Sequence, residues 1–305
     1  WYVSAGSSIA KLVVDALSNV DRDGLVAIVE DARTAISGVV ALSRGGSESG
    51  SDVTAPTGTD AVAKAEPDGS TIGISIGGPL AINTLLFSKL PYNPKTDLVP
   101  ITQLVTQPSA LAVNSNVKVN DAAELLTTLK RETGRFSYAS IGNGSLSHLA
   151  MEAINQITGT RMVHVPYPAS PAAMTAIIRG DVQIGMLPAI AVTPHAASGA
   201  VKILAVSTAK RSPYLPSIPT LKEAGIDVEA DAWNGLIAPA RTPEPIVARI
   251  RREVVETIGT SAIRDKLAAQ LMEPVGSTPE EFRARIEAEI SRWEPVIRSA
   301  DIKVN

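Results

Sequence analysis

A glycine-containing turn between residues 136 and 148 carries the residue types best suited to binding an anion. The stretch Phe136-Ser-Tyr-Ala-Ser-Ile-Gly-Asn-Gly-Ser-Leu-Ser-His148 has the pattern of a strand, a turn and the start of a helix. Gly142 and Gly144 can adopt backbone conformations that other residues avoid, so that successive N–H groups point into one concavity. The positive end of the helix dipole lies at the same place. The spacing therefore predicts an anion site built from backbone donors.

Two other interpretations of this turn stay open. An ordinary strand-to-helix turn would use the same glycines. A dinucleotide-binding turn of the GxGxxG type would need a third glycine where this chain has Ser147, together with an acidic residue for the ribose, for which the sequence has no convincing candidate.

Two further turns have a similar hydroxyl-rich or glycine-rich character. One lies within Ser75–Asn83, and the other, Ser4–Ser8, precedes a helix expected over Ile9–Ser18. Because ligands of open α/β sheets lie beyond the carboxyl ends of the strands, the three turns can converge on one crevice. None of them contains Lys or Arg, so a bound anion would be held by backbone N–H groups, hydroxyls, helix dipoles and water. Such a site suits reversible capture better than chemistry.

The composition excludes several classes of function. The 305 residues contain 28 Lys and Arg against 31 Asp and Glu, and no cysteine. The lack of cysteine excludes a disulfide framework, Cys-ligated zinc, an iron–sulfur cluster and a Cys nucleophile. The near-neutral charge without a basic block argues against nucleic-acid and membrane-surface partners. His148, His164 and His195 are too scattered to predict a metal site, so we expect structural or hydrogen-bonding roles for them.

Short apolar runs alternate with helical patterns, which predicts an α/β protein with largely parallel sheets and, from the length, about two domains. The best helix is Ser145–Thr158, with an apolar stripe from Leu146 to Ile157. Capping boxes predict helices that begin after Asp121 and Thr278, and Thr242-Pro243 begins another that runs to Glu256. The clearest predicted strands are Thr71–Ile76, Ser109–Val113, Arg135–Ser140, Arg161–Val165, Val182–Leu187, Val201–Val206 and Gly235–Ala238.

No stretch reaches the roughly 18 apolar residues of a membrane span, and the first residues lack the pattern of a signal peptide. A serine hydrolase or transferase is one alternative, supported only by the adjacency of Ser147 and His148. Neighbours on a helix point about 100° apart, however, so these two cannot form a nucleophile–base pair.

Six motifs resemble the substrate-binding proteins of tripartite tricarboxylate transporters, the Bug or TctC-like family. The resemblance covers roughly residues 58–305, with the motifs in the order and spacing typical of the family. The motifs are Asp60–Gly69, Lys89–Pro94, Tyr138–Ala150, Val163–Tyr167, Leu204–Ser212 and Ile218–Gly225.

The resemblance implies a two-lobed periplasmic binding protein fold of type II, each lobe a mainly parallel sheet flanked by helices. Lobe 1 would comprise residues 1–104 and 233–305, with the helical tail packed on it, and lobe 2 residues 105–232, with the ligand cleft between them. It implies a periplasmic monomer without metal or cofactor that closes on a small organic acid and delivers it to membrane permease subunits. A ligand-sensing module for a signalling partner shares this fold and stays an alternative.

The family's ligand loops map onto the turns already described. In lobe 2 they imply that Ser140, Asn143, Gly144 and Ser145 clamp one carboxylate, while Tyr167 shapes the pocket wall. The remaining implied ligand-binding residues are Ser7, Ser8, Gly77, Gly78, Pro79, Ala139, His148, Ser170 and Leu187.

The chain departs from the family pattern in two places. Its first 57 residues contain only a shortened form of the family's first strand and turn, followed by a stretch that does not match the family pattern. Where many relatives carry an Asp, this chain has Leu187, so a charge suited to an amino group is missing. This difference favours a dicarboxylate without an amino group.

Overall fold

A computed structural model describes residues 57–304. The described residues form two compact units. The first contains residues 57–106 and 233–292, and the second contains residues 107–232 and 293–304. None of the helices within these residues is long and apolar enough to cross a membrane.

The described elements alternate between strands and helices for most of the chain. They begin with α1 (Thr57–Ala63), β1 (Gly73–Ile76), a π-helical segment (Gly78–Ile82), α2 (Asn83–Leu86), β2 (Leu98–Gln107), β3 (Ser109–Asn114), α3 (Ala122–Arg131) and β4 (Ser137–Ser140). They continue with α4 (Leu146–Thr158), β5 (Val163–Pro166), α5 (Ser170–Arg179), β6 (Ile184–Pro188), α6 (Ala189–Ala197), β7 (Val201–Val206) and β8 (Ala232–Pro239). The chain ends with α7 (Glu244–Ile258), α8 (Ser261–Ala268), β9 (Glu273–Pro274) and α9 (Pro279–Ser299).

The predicted α/β class is confirmed, and all seven predicted strands overlap observed ones. The helix starts predicted after Asp121 and Thr278 are confirmed by their caps, and the helix predicted from Thr242-Pro243 begins at Glu244 without a side-chain cap. The Asp121 carboxylate accepts from the N–H of Glu124 at 2.8 Å. Thr278 and Glu281 form a reciprocal box, with each side chain accepting from the other residue's backbone N–H. The predicted box at Asp121 is only half formed, because the Glu124 carboxylate accepts from the Asn120 N–H and not from that of Asp121. Each cap satisfies donors that the first helical turn leaves open.

The prediction of mainly parallel sheets is wrong for part of the structure. In the second unit the strand order is β5-β4-β6-β3-β7. There β4 pairs in parallel with β5 and β6, but β3 is antiparallel to both β6 and β7. In the first unit, of order β1-β8-β2-β9, β1 is antiparallel to β8 and β2 to β9. A fully buried strand such as β3 is a continuous apolar run in either direction, so its pattern does not reveal its orientation.

In the first unit, α9 packs on the sheet through a close contact between Gly235 and Phe282. A Cβ at Gly235 would lie 1.9 Å from the Phe282 ring, so only glycine permits this approach. Trp233 meets the same ring edge-on, with centroids 5.4 Å apart. These contacts join β8 to α9.

In the second unit, α4 packs on the sheet through Leu149, Ala150 and Ile154, which are at most 2% exposed. Its predicted apolar stripe is wrong at one end, because Ile157 is 55% exposed in the last turn. The family resemblance implies that the helical tail packs on the first lobe. Instead, residues 293–304 belong to the second unit, where the Gln156 amide donates to the Val296 carbonyl at 3.2 Å. The predicted lobe boundaries otherwise stay predictions.

Candidate functional site

The turn between β4 and α4, residues Ile141–Ser145, is called the anion loop here. Gly142 and Gly144 have φ values of 124° and 72°, as their role in the predicted turn requires. Both angles lie in the region that favours glycine. The loop opens α4, a helix of 13 residues, so the positive end of a helix dipole faces it.

The serine hydroxyls of this region hold the loop itself. Ser145 donates to the Gly142 carbonyl at 2.6 Å and caps α4 by accepting from the His148 N–H. Ser147 accepts from the Ile141 N–H at 2.9 Å. These bonds fix the backbone without using an external ligand.

Three backbone donors are left to bind an anion. The N–H of Gly142 is bonded to Ser140 Oγ at 3.2 Å, and that of Gly144 to His148 Nδ1 at 3.1 Å. Among residues 57–304, no protein acceptor is found for the N–H groups of Asn143, Leu146 and Ser147. The last two belong to the first turn of α4, where orphan donors are expected. Together with the helix dipole they suit a carboxylate.

Two imidazoles stack beneath the loop. The rings of His148 and His164 have centroids 3.7 Å apart and an interplanar angle of 14°. Nε2 of His164 and Oγ of Ser140 share a hydrogen bond of 2.7 Å. Burial lowers the pKa of His148 to about 3, with a further contribution from His164, and lowers the pKa of His164 to about 4. Both rings are therefore neutral at neutral pH.

Tyr138 extends this cluster towards the sheet. Its ring stacks on His164 at 5.1 Å, because Tyr138 and His164 are register partners on the parallel strands β4 and β5. Its hydroxyl donates to the Glu152 carboxylate of α4. Burial, with the bond to Glu152, raises the pKa of Tyr138.

The other candidate residues of the second unit lie where β4, β5 and β6 end. The Tyr167 N–H donates to the Ser140 carbonyl at 3.0 Å, which places the half-buried Tyr167 beside the loop. Ser170 is the buried first residue of α5. Ala139, Ser140 and Leu187 are also brought to this edge, but each is 0% exposed. Direct ligand contact by their side chains stays a prediction.

Asn143 is the exposed tip of the loop. Its side-chain amide donates to the Lys303 carbonyl at 2.7 Å. The structure thus gives this side chain a partner within the protein, which sequence reasoning did not foresee.

In the first unit, Gly77, Gly78 and Pro79 follow β1 as predicted and begin the π-helical segment. Gly77 itself has an ordinary helical φ of −55°. A Cβ there would lie 3.4 Å from the Trp233 indole. The Pro79 carbonyl accepts from the Tyr92 hydroxyl at 2.9 Å.

Ser7 and Ser8 lie outside the described residues. Within the part of the chain that is described, no group of three or more His, Asp or Glu side chains could hold a metal ion.

Sequence reasoning missed one serine–histidine contact. Ser147 and His148 are the only serine and histidine adjacent in the sequence. The side-chain hydrogen bond forms instead between Ser140 and His164, which lie on neighbouring strands. Ser140 itself is 0% exposed. The alternation within Val163-His-Val165 was the available signal, since it places His164 on one face of a strand.

The chain resembles a known family of proteins. The model of the TctC family, described as "Tripartite tricarboxylate transporter family receptor", matches residues 48–302.

Three solved structures illustrate the likeness. Rpa4515 of R. palustris with adipate is 32% identical, with a TM-score of 0.72, and the match covers 81% of this chain and 83% of that one. MatC of Rhodopseudomonas palustris with bound malate is 30% identical, with a TM-score of 0.65 and coverage of 78% and 83%. The periplasmic binding protein BugD is 26% identical, with a TM-score of 0.68 and coverage of 81% and 84%.

Proposed function

Because the chain belongs to the tripartite tricarboxylate transporter receptor family, we propose that it captures a small dicarboxylate in the periplasm and delivers it to the permease subunits of such a transporter. The family and its structural neighbours are solute-binding receptors, not enzymes. The resemblance to Bug proteins and the two-sheet α/β architecture are confirmed by the same matches.

The open N–H groups of the anion loop and of the first turn of α4 carry the proposal. Asn143, Leu146 and Ser147 supply backbone donors at the positive end of α4. Donors of this kind recognise a carboxylate without a positively charged side chain. Binding by neutral groups and water leaves the ligand free to be released again.

The dicarboxylate class is supported by the ligands of two relatives. Rpa4515 holds adipate and MatC holds malate. Both acids carry two carboxylates, and neither carries an amino group. Leu187, fully buried in β6, offers no charge to an ammonium group. We also propose that the two lobes close on the ligand. The ligand stabilises the closed state only through contacts that it does not make in the open state.

A thermal-shift screen tests the proposal. The panel contains citrate, malate, succinate, adipate, glutamate, aspartate and benzoate. A ligand that binds only the folded state raises the Tm by mass action. We expect a shift with one or more non-amino dicarboxylates and none with glutamate or aspartate. A Tm shift only with glutamate or aspartate would overturn the dicarboxylate assignment. If none of the seven acids shifts the Tm, the proposal is overturned.

A further inference from the structure

The stacked histidines touch the anion loop at two separate points. His148 of α4 accepts the Gly144 N–H through Nδ1. His164 of β5 bonds Oγ of Ser140, whose hydroxyl also contacts the Gly142 N–H and carbonyl. The two imidazoles therefore contact the two glycines that shape the loop, one directly and one through Ser140.

The geometry closes Nδ1 of His148 to a ligand. The residue is 5% exposed, and its Nδ1 is already occupied by Gly144. Accepting an N–H requires a lone pair, so Nδ1 must be unprotonated in this arrangement. A cationic ring would also lose Gly144 as a donor and lie 3.7 Å from the second imidazole.

The groups that face the pair come from three elements. Tyr138 of β4 stacks on His164 and lies 6.3 Å from the ring centroid of His148. Glu152, one turn along α4 from His148, is engaged by the Tyr138 hydroxyl. The histidines face one another from α4 and β5. The carboxylate of this cluster is thus paired with the phenol, and the two imidazoles pair with loop groups.

We propose that His148, stacked on His164, is a positioning residue, which holds the anion loop in its carboxylate-binding conformation through Gly144 and does not itself touch the ligand. The proposal deepens the function proposed above and rests on it for the nature of the ligand. It reassigns His148, which the family resemblance places among the ligand-binding residues.

Hydrogen exchange at the Gly144 amide tests the positioning role without any ligand. His148→Phe keeps an aromatic ring in the stack but removes the acceptor, whereas His148→Asn supplies an oxygen near the position of Nδ1. We expect exchange at Gly144 to be about tenfold faster in the Phe variant, as loss of one hydrogen bond predicts, and close to wild type in the Asn variant. His195→Phe, on α6, is the matched control and should leave Gly144 unchanged. Equal exchange in the Phe variant and the wild type would overturn the proposal.

A measurement on the unmodified protein keeps the test decisive if His148→Phe does not fold. Long-range ¹⁵N–¹H spectra of the imidazoles report which nitrogen carries the proton. At neutral pH we expect His148 as the neutral tautomer protonated on Nε2. Protonation on Nδ1 would contradict the bond from Gly144 and overturn the proposal.

Affinity for adipate and malate supplies the functional arm. His148→Phe should weaken binding of whichever acid binds the wild type by about tenfold, and His148→Asn should restore most of it. Unchanged affinity in a folded Phe variant with faster Gly144 exchange would overturn the functional half of the proposal. If neither acid binds the wild type, the ligand assignment fails, while the exchange and tautomer results still decide the positioning role.

Discussion

The side-chain amide of Asn143 donates to the backbone carbonyl of Lys303 at 2.7 Å, so the tip of the anion loop is fastened to the C-terminal segment of its own unit. This bond predicts that Asn143→Ala lowers the free energy of unfolding by about 1 kcal/mol, as for one net hydrogen bond. Affinity for the dicarboxylate should fall less than about threefold, because the backbone N–H of residue 143 remains. Denaturant unfolding and calorimetric titration measure the two effects.

Lys303→Ala is the matched control for Asn143→Ala, since it removes a side chain but keeps the carbonyl. Lys303→Ala should change neither the free energy of unfolding nor the affinity for the dicarboxylate. A large loss of affinity in Asn143→Ala with unchanged stability would show instead that the Asn143 side chain binds the ligand directly.

Ser145 joins stability to binding because its hydroxyl both caps α4 and fixes the Gly142 carbonyl. Ser145→Ala should cost about 1 kcal/mol of stability, the usual effect of losing an N-cap, and should also weaken dicarboxylate binding. Asp121→Ala removes a comparable cap from α3, a helix that does not begin at the anion loop. It should cost similar stability and leave affinity unchanged. Equal affinities of the two variants would refute the link between this cap and the site.

Glu289 is 1% exposed. Its carboxylate Oε2 lies 3.4 Å from the Arg285 guanidinium and 3.7 Å from that of Arg292, and it accepts a hydrogen bond from the Trp233 indole. Removing Glu289 takes from this buried cluster the carboxylate that both guanidinium groups and the indole contact, and loss of one partner of a buried ion pair is strongly destabilising. Glu289→Ala should therefore destabilise the protein by about 3 kcal/mol. Glu294→Ala breaks the exposed pair with Arg298 and should cost less than about 1 kcal/mol. Chemical unfolding curves of similar midpoint for the two variants would contradict this reading.

The buried histidines predict how stability changes with pH. The pKa of His148 is about 3 in the folded protein against 6.5 as the ordinary value, so the unfolded chain binds more protons between these limits. Stability should fall as the pH drops below about 6.5. Between pH 7 and pH 5 the loss attributable to His148 is about 2 kcal/mol.

His148→Asn should flatten this pH dependence, because it removes one titrating group, while His195→Phe should leave the dependence steep. Unfolding free energies measured at pH 7 and pH 5 for the three proteins give the comparison. The same slope in His148→Asn and wild type would mean that His148 is not buried in its neutral form.

The local elements of the site could be predicted from the sequence. The spacing of apolar residues and the caps define α4, and the glycines at 142 and 144 indicate its entry turn. These features depend on contacts between residues a few positions apart, which a sequence shows directly.

The long-range features could not be predicted from the residues alone. His164 meets His148 only because β5 pairs in parallel with β4 in a register that places it beside Tyr138. The antiparallel direction of β3 likewise depends on how the chain enters the sheet. The bond from Asn143 to Lys303 joins segments far apart in sequence. No periodicity encodes such pairings, since they arise from tertiary packing.

The central claim is that the backbone donors of the anion loop and of the first turn of α4 bind a carboxylate, and a charge placed at Gly144 tests it most directly. Gly134→Asp is a matched control in the same unit, because Gly134 has a φ of 78° against 72° for Gly144 and nothing lies within 4 Å of its Cβ position. Titration calorimetry with the acid that raises the Tm compares the affinities of the wild type and of the two variants, once both variants are shown to be folded. The account predicts that Gly144→Asp weakens binding by roughly 100-fold or more through charge repulsion, while Gly134→Asp binds like the wild type. Wild-type affinity in a folded Gly144→Asp protein would contradict it.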